Sequence, residues 1–400
     1  TMDLITDSAN NVYISGSTSS STNVATAGTH LSVYDSNQSC FFAKIASNGF
    51  RVWGTYYSVQ GNSMVVDNDS SLIIAGDLFY DEINIATANS HQPTKNIRID
   101  MYIVKLNSLG VREWGTYYGD IQNDEVLSVN IDNENNIYIG GQTSSTSSNL
   151  TTPDSFQPIS TVIGNNPKGI IIKFSPTGNR IWATFYDGRV FSINISDDNF
   201  IYISGAAFDP DNTSNISTPG AYFENPLGNV DSFISKFTLS GSRIWGTFLG
   251  ITDYDLIYQT RLIGSSLYIL GNTYSQDGVA TAGTFYPTYA SLLAVPTSSF
   301  NFTPCYIMKF DVSTQEKIWC TYFIKSLSSI DANVNGEVFA AGYGSLDNGV
   351  ATPDGFMPEK GPYNKGYFFK LNNQGQRVWG SYFGGDKAEH FVRVRLDQES

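Results

Sequence analysis

One string limits what this chain can fold into. RVWGTYYS at residues 51–58 returns as REWGTYYG at 112, RIWATFYD at 180, RIWGTFLG at 243, KIWCTYFI at 317 and RVWGSYFG at 377. All six tryptophans lie in these copies: Trp53, Trp114, Trp182, Trp245, Trp319 and Trp379, spaced by 61, 68, 63, 74 and 60 residues. A repeat of this length is one supersecondary unit that must bury its apolar faces against copies of itself.

Three more strings accompany the first. CFFAKI, DMYIVKL, KGIIIKF, DSFISKF, PCYIMKF and KGYFFKL carry Lys44, Lys105, Lys173, Lys236, Lys309 and Lys370. Each lysine precedes its tryptophan by nine residues, or ten for Lys309, where VSTQE adds a residue to the turn. Further upstream lie VYISG, LIIAG, IYIGG, IYISG, LYILG and VFAAG, and before them short apolar segments ending in turn-like DSANN, DNDSS, DNENN, SDDNF, IGSS and NVNGE. Each repeat thus holds four apolar runs rich in Val, Ile, Tyr and Phe, separated by Asn, Asp, Gly and Ser, which reads as strand–turn–strand. No amphipathic helix with caps stands out. The prediction is an all-β chain: a β-propeller of four-stranded antiparallel blades.

Six tryptophan strings give six blades, in repeats of approximately 1–58, 59–119, 120–187, 188–250, 251–324 and 325–384, with a C-terminal strand over 385–400. That tail, AEHFVRVRLDQES, also reads as the first strand of a seventh blade, so seven is the alternative count. The whole of 1–400 is expected to be one propeller.

The tryptophan is expected between adjacent sheets, where an aromatic side chain removes roughly 150–250 Å² from water. At about 25 cal/mol per Å² that is an upper bound of about 4–6 kcal/mol. The basic residue two positions earlier (Arg51, Arg112, Arg180, Arg243, Lys317, Arg377) is expected on the same face, since strand side chains alternate. Its stem would lie on an aromatic and its charge stay wet. Glycine after tryptophan would keep the opposite face small where the next sheet approaches. The long connection between second and third strands carries ATAGTH, ATANSH, TTPDSF, STPGAY, ATAGTF and ATPDGF. Thr26, Thr87, Thr152, Thr218, Thr281 and Thr352 recur there, and His30 and His91 stand where Phe156, Tyr222, Phe285 and Phe356 stand elsewhere. These histidines read as packing rings.

A formal charge of −14 with no basic stripe argues against nucleic acid, which needs its phosphates neutralised. No apolar run is long enough for a spanning helix, and no signal peptide is visible. The opening TMDLITDSANN already resembles the inside of a repeat, so the expectation is a mature or excised part of a larger chain. Cys40, Cys305 and Cys320 are no disulfide framework. Cys305 and Cys320 fall on neighbouring strands and are either bonded or two buried thiols.

WGTYYG, the YIxG segment, the TPGAY-like loop and the DxFIxKF strand together resemble the SBBP family of β-propeller repeats over essentially the whole chain. The resemblance implies a bacterial secreted or cell-surface protein, often with type IX secretion signals, and no single ligand or reaction.

Function is expected on the face bearing the long loops, since binding usually sits on loops held by a rigid scaffold. The candidates are Phe79 and Tyr80 in DLFYDEINI, and Tyr286, Tyr289, Phe300 and Phe302 in the loop over 286–304. Aromatics beside polar groups suit a glycan or a protein partner; alternatively they pack their own loops. Asp209 and Asp211, with Asn212, offer alternating oxygens to a hard cation such as calcium, or a solvated turn. The connections from fourth to first strand carry Asp124 and Glu125, Asp253 and Asp255, and Asp386 and Glu389. The favoured expectation is a non-catalytic module for binding, adhesion or structural display. The alternative is a polysaccharide-acting enzyme, a glycosidase or lyase with two converging carboxylates.

Overall fold

The computed structural model describes residues 3–35, 40–59, 61–78, 85–160, 167–208, 215–250, 253–293, 304–323, 327–344, 349–361, 363–388, 391 and 393–397. Its architecture is the one the repeats demand. Six four-stranded antiparallel sheets form the blades of a six-bladed β-propeller, with almost no helix. Blade one is Leu4–Thr6, Val12–Ser17, Cys40–Ile45 and Arg51–Tyr57. Blade two is Ser63–Val66, Leu72–Leu78, Asp100–Leu106 and Arg112–Tyr118. Blade three is Asp124–Ile131, Ile137–Thr143, Lys168–Phe174 and Arg180–Tyr186. Blade four is Arg189–Ile195, Phe200–Ala207, Asp231–Thr238 and Arg243–Leu249. Blade five is Asp255–Ile263, Ser266–Thr273, Cys305–Asp311 and Glu316–Phe323. Blade six is Leu327–Ala332, Val338–Gly344, Lys365–Leu371 and Arg377–Phe383.

Two compact units can be distinguished: Thr1–Ile203 with Asp211–Ile216 and Ser235–Trp245, and Ser204–Pro210 with Ser217–Ile234 and Gly246–Ser400. Aromatic and branched side chains fill both. Tyr13, Phe42, Trp53, Tyr57, Tyr102 and Leu106 share one cluster of the first unit, and Ile257, Ile307, Phe310, Trp319 and Tyr367 are buried in the second.

In blades one to three the turn between first and second strands is tied by an aspartate, and in blade four by Ser196, whose hydroxyl accepts from the N–H of Phe200. Asp7 accepts from the N–H of Ala9 and Asn11, Asp67 from Asp69 and Ser71, and Asp132 from Glu134 and Asn136. Asn10, Ser70 and Asn135 close these turns at φ of 58°, 60° and 61°, a region that short polar side chains tolerate. The recurring lysine completes the device. Lys44, Lys105 and Lys173 reach Asp7, Asp67 and Asp132 at 3.4, 2.7 and 3.6 Å. In the second unit Lys370 repeats the device on Glu337 at 2.7 Å, whereas Lys309 donates to Asn373, in the next blade's turn between third and fourth strands, at 2.6 Å.

Four of the tryptophans meet the turn between third and fourth strands of the following blade. The indole N–H of Trp53 donates to the carbonyl of Ser108, that of Trp114 to Pro176 and that of Trp182 to Leu239, each at 3.0 Å, all within the first unit. In the second unit Trp319 donates to Asn373 at 2.8 Å. Gly110, Gly178, Gly241 and Gly375 close those turns at φ of 74–88°. A β-carbon on Gly110 would come within 2.9 Å of the Trp53 ring. Trp53, Trp182 and Trp319 are buried, and Trp114, Trp245 and Trp379 are half-buried.

Three expectations need correcting. Arg51 does not share a face with Trp53. The register shifts between them, with Lys44 opposite Trp53 but Ile45 opposite Arg51. The same β-bulge recurs in blades two, three, five and six, and a bulged residue resets the alternation. The extra residue is exposed: Val52, Ile181, Ile318 and Val378 are each nearly half accessible. Nor is the basic charge simply solvated. Arg112 donates to the carbonyl of Ile85, Arg180 to Asn149, and Arg377 to Gly349 and Val350, each gripping its own blade's long loop. Finally, glycine after tryptophan makes room for that loop and not for the next sheet: a β-carbon on Gly54 would lie 2.1 Å from the carbonyl oxygen of Val24. Thr26, Thr87, Thr152, Thr218, Thr281 and Thr352 then bond this point of the fourth strand through their backbone N–H. The recurring threonine thus pins a loop over the blade's outer edge, which would otherwise present unpaired backbone.

The tail also differs from expectation. Among the described residues of 385–400 no strand forms. Backbone groups there bond side chains instead: Leu396 donates to Asp331, and the carbonyl of Val394 accepts from Ser329. Phe391 packs on Phe368 and Phe383.

Candidate functional site: a polar hollow and an apolar pocket

Of the proposed ligand-facing aromatics, Phe79, Tyr80, Phe300 and Phe302 lie outside the described residues, as do Asp209, Asp211, Asn212 and Glu389. Tyr286 is buried, stacks on Phe285 with centroids 4.3 Å apart and donates to the carbonyl of Gly349 at 3.2 Å. Its ring is committed to packing. Tyr289 is half-buried in the short helix Tyr289–Leu293 and meets Tyr322 edge-on at 5.9 Å. The histidines behave as packing rings: His30 contacts Tyr57 at 5.6 Å, and His91 stacks on Tyr118 at 5.7 Å. Burial, with the Arg112 charge nearby, holds His30 down to about 4.

The cysteines are free and buried. Cys305 stands opposite Phe323 and Cys320 opposite Met308, three register positions apart. At about 3.4 Å per residue that is roughly 10 Å, beyond the reach of a disulfide. Burial pushes the Cys320 thiol up to about 12.

The described acids of these connections differ in exposure. Asp253 and Asp386 are exposed, while Asp124 and Asp255 are buried. Asp124 meets a partner the sequence did not point to. A β-carbon on Gly119 would come within 2.5 Å of one Asp100 oxygen and 2.9 Å of one Asp124 oxygen, so the two carboxyls face one point. Burial, and then the Asp100 charge, pushes Asp124 up to about 7 despite the Thr143 hydroxyl it accepts from. Both carboxyls are fully buried, so no sugar reaches them. Among the described residues no three His, Cys, Asp or Glu side chains gather as metal ligands, and no helix is long and apolar enough to cross a membrane.

Among the described residues two concave features stand out, each within one unit. The first lies where blade two passes to blade three. It is an open hollow of about 640 Å³ lined by Arg98, Ile121, Gln122, Asn123 and the run Ser144–Ser145–Thr146–Ser147. Its wall is braced from within: Ser144 N–H donates to the Asn123 carbonyl at 2.8 Å and Gln122 N–H to the Ser145 hydroxyl at 3.3 Å. A guanidinium, two amides and four hydroxyls can bind a polyhydroxylated or anionic ligand. Its signal in the sequence is the hydroxyl-rich run QTSSTSS at 142–148.

The second feature, in the other unit, is an apolar pocket of about 130 Å³. Tyr222, Phe223, Leu249, Gly250, Asp255, Gly278, Val279, Tyr306, Met308 and Lys317 line it.

No family model matches the chain, and no curated protein matches it. Solved structures give a likeness of fold. BamB from Moraxella catarrhalis superposes with a TM-score of 0.41 at 11% identity, covering 98% of this chain and 94% of that one. A protein of unknown function from Bacteroides caccae gives 0.39 at 8% identity over 86% and 90%. A Synechocystis apocarotenoid oxygenase variant gives 0.42 at 8% identity over 88% and 69%.

Proposed function

We propose that the chain is a non-catalytic propeller module, secreted or displayed on a bacterial surface, that binds a glycan or a protein. What supports the reading is how the repeat spends its residues. Every recurring element with an assigned role packs or ties a turn: tryptophan on turn glycine, lysine on aspartate, arginine and threonine on the blade's own loop. Variety is left to the connections. The observation that carries a polar ligand is the hollow of Arg98, Gln122, Asn123 and Ser144–Ser147, where side chains depart from the repeat. Surface display rests on the resemblance to SBBP repeats. The sharpest test is a glycan array and a cell-surface pull-down with the protein and its Arg98→Ala/Asn123→Ala variant. Binding that weakens at least tenfold in the variant supports the reading. Binding that survives unchanged removes this hollow as the site.

A further inference from the structure

The apolar pocket has a recurring counterpart that is filled elsewhere. The fourth strand of each blade ends in an aromatic residue, Tyr57, Tyr118, Tyr186, Phe323 or Phe383, except in blade four, where Leu249 stands. In the first unit Tyr118 lies between His91 and Phe174, both centroids 5.7 Å away. Its hydroxyl donates to the carbonyl of Leu150 and accepts from Arg180 at 3.3 Å. Tyr186 repeats this between Phe156 and Phe237, with its hydroxyl at the carbonyl of Ile216.

At Leu249 the ring is missing but its surroundings are kept. Tyr222 occupies the loop position of His91 and Phe156, and still packs on Phe310, the counterpart of Phe174, at 6.1 Å. The carbonyl of Val279 stands where those of Leu150 and Ile216 accept a phenol. The arginine is replaced too. Lys317 sits there, its ammonium 3.0 Å from the Val279 carbonyl and 3.1 Å from that of Gly278. Two truncations, tyrosine to leucine and arginine to lysine, fall at one junction and leave the pocket of about 130 Å³. A dry apolar cavity of about 150 Å³ is known to hold benzene.

We propose that this pocket binds a single-ring phenol, which takes the place of the absent tyrosine ring. Its ring lies among Tyr222, Met308 and Leu249, and its hydroxyl meets the Val279 carbonyl and the Lys317 ammonium. The site is independent of the polar hollow and survives if that reading fails.

The probe is p-cresol, with toluene as the isostere lacking a hydroxyl, titrated while the Met308 methyl resonance is followed and heats are measured by calorimetry. p-Cresol is expected to shift that resonance and to bind at least tenfold more tightly than toluene. Leu249→Tyr and the milder Leu249→Phe fill the space and are expected to weaken p-cresol at least tenfold while raising the melting temperature. Absence of p-cresol binding up to its solubility overturns the proposal. So do equal binding of toluene, which makes this a plain apolar void, and undiminished binding by the filled variants.

Discussion

Gly110→Ala isolates what a tryptophan contributes to blade packing. Two costs act at this position. The first is backbone: φ is +76°, and an L side chain there costs roughly 1–2 kcal/mol. The second is the Trp53 ring, whose nearest atoms would stand 2.9 and 3.0 Å from the new β-carbon. Overpacking of that kind costs typically about 1–3 kcal/mol. Gly49→Ala supplies the first cost alone. It occupies the same turn in blade one at φ +86°, with no atom within 4 Å of the added carbon. Gly49→Ala is therefore expected to destabilise by about 1–2 kcal/mol and Gly110→Ala by about 2–5 kcal/mol. In a Trp53→Ala background, itself costing roughly 3–5 kcal/mol, Gly110→Ala should fall back towards about 1–2 kcal/mol. The assay is urea unfolding with hydrogen exchange on blades one and two, read as a double-mutant cycle. Equal costs for the two glycines, or additivity in the cycle, would refute the claim that ring and turn are locked together.

Other expectations follow from the same geometry. Asp124 has its folded pKa raised from 3.8 to about 7. Its contribution is fully present below about pH 4 and is lost as pH rises through 7, so stability should grow on acidification from pH 8 to 5, by at most about 1.4 kcal/mol per unit. Asp124→Asn should flatten that slope, which denaturation midpoints across pH will read; Asp77, also raised to about 7, keeps part of it. Burial raises Asp7 and Asp132, but their hydrogen bonds, and after them the lysines, outweigh it and hold both below the usual carboxylate value. They act in the opposite sense, losing stability as pH falls below about 4. Gly54→Ala should dislodge the loop at Val24, uncover the outer edge of blade one and promote self-association, measurable by light scattering. All three thiols should resist a thiol reagent in the native protein and react together in denaturant, counted by mass spectrometry.

The fold was legible because its signals are local and repeated. Six copies of tryptophan and four apolar runs specify a blade without any long-range knowledge. What the sequence hid was how those residues are aimed. A bulge one residue before the tryptophan, seen in blades one, two, three, five and six, turned Arg51 to the other face, and bulges leave no mark in apolar periodicity. Glycine after tryptophan was visible, but the carbonyl of Val24 that needs its space comes from a loop thirty residues away. Tyr286 read as a ligand platform because its loop is polar, yet Phe285 and Gly349 bury it. Leu249 was in plain sight as the one aliphatic end among six strings. Its meaning emerged only beside Tyr118 and Tyr186, whose rings fill the space it leaves.

The most direct measurement is hydrogen exchange at the six indole nitrogens, resolved by NMR. Each tryptophan held by the next blade's turn must keep its N–H on a backbone carbonyl. Trp53, Trp114, Trp182 and Trp319 are expected to exchange far more slowly than free indole, with the buried three slowest. Exchange of those four at the rate of an unprotected side chain would contradict the interlock and the blade assembly built on it.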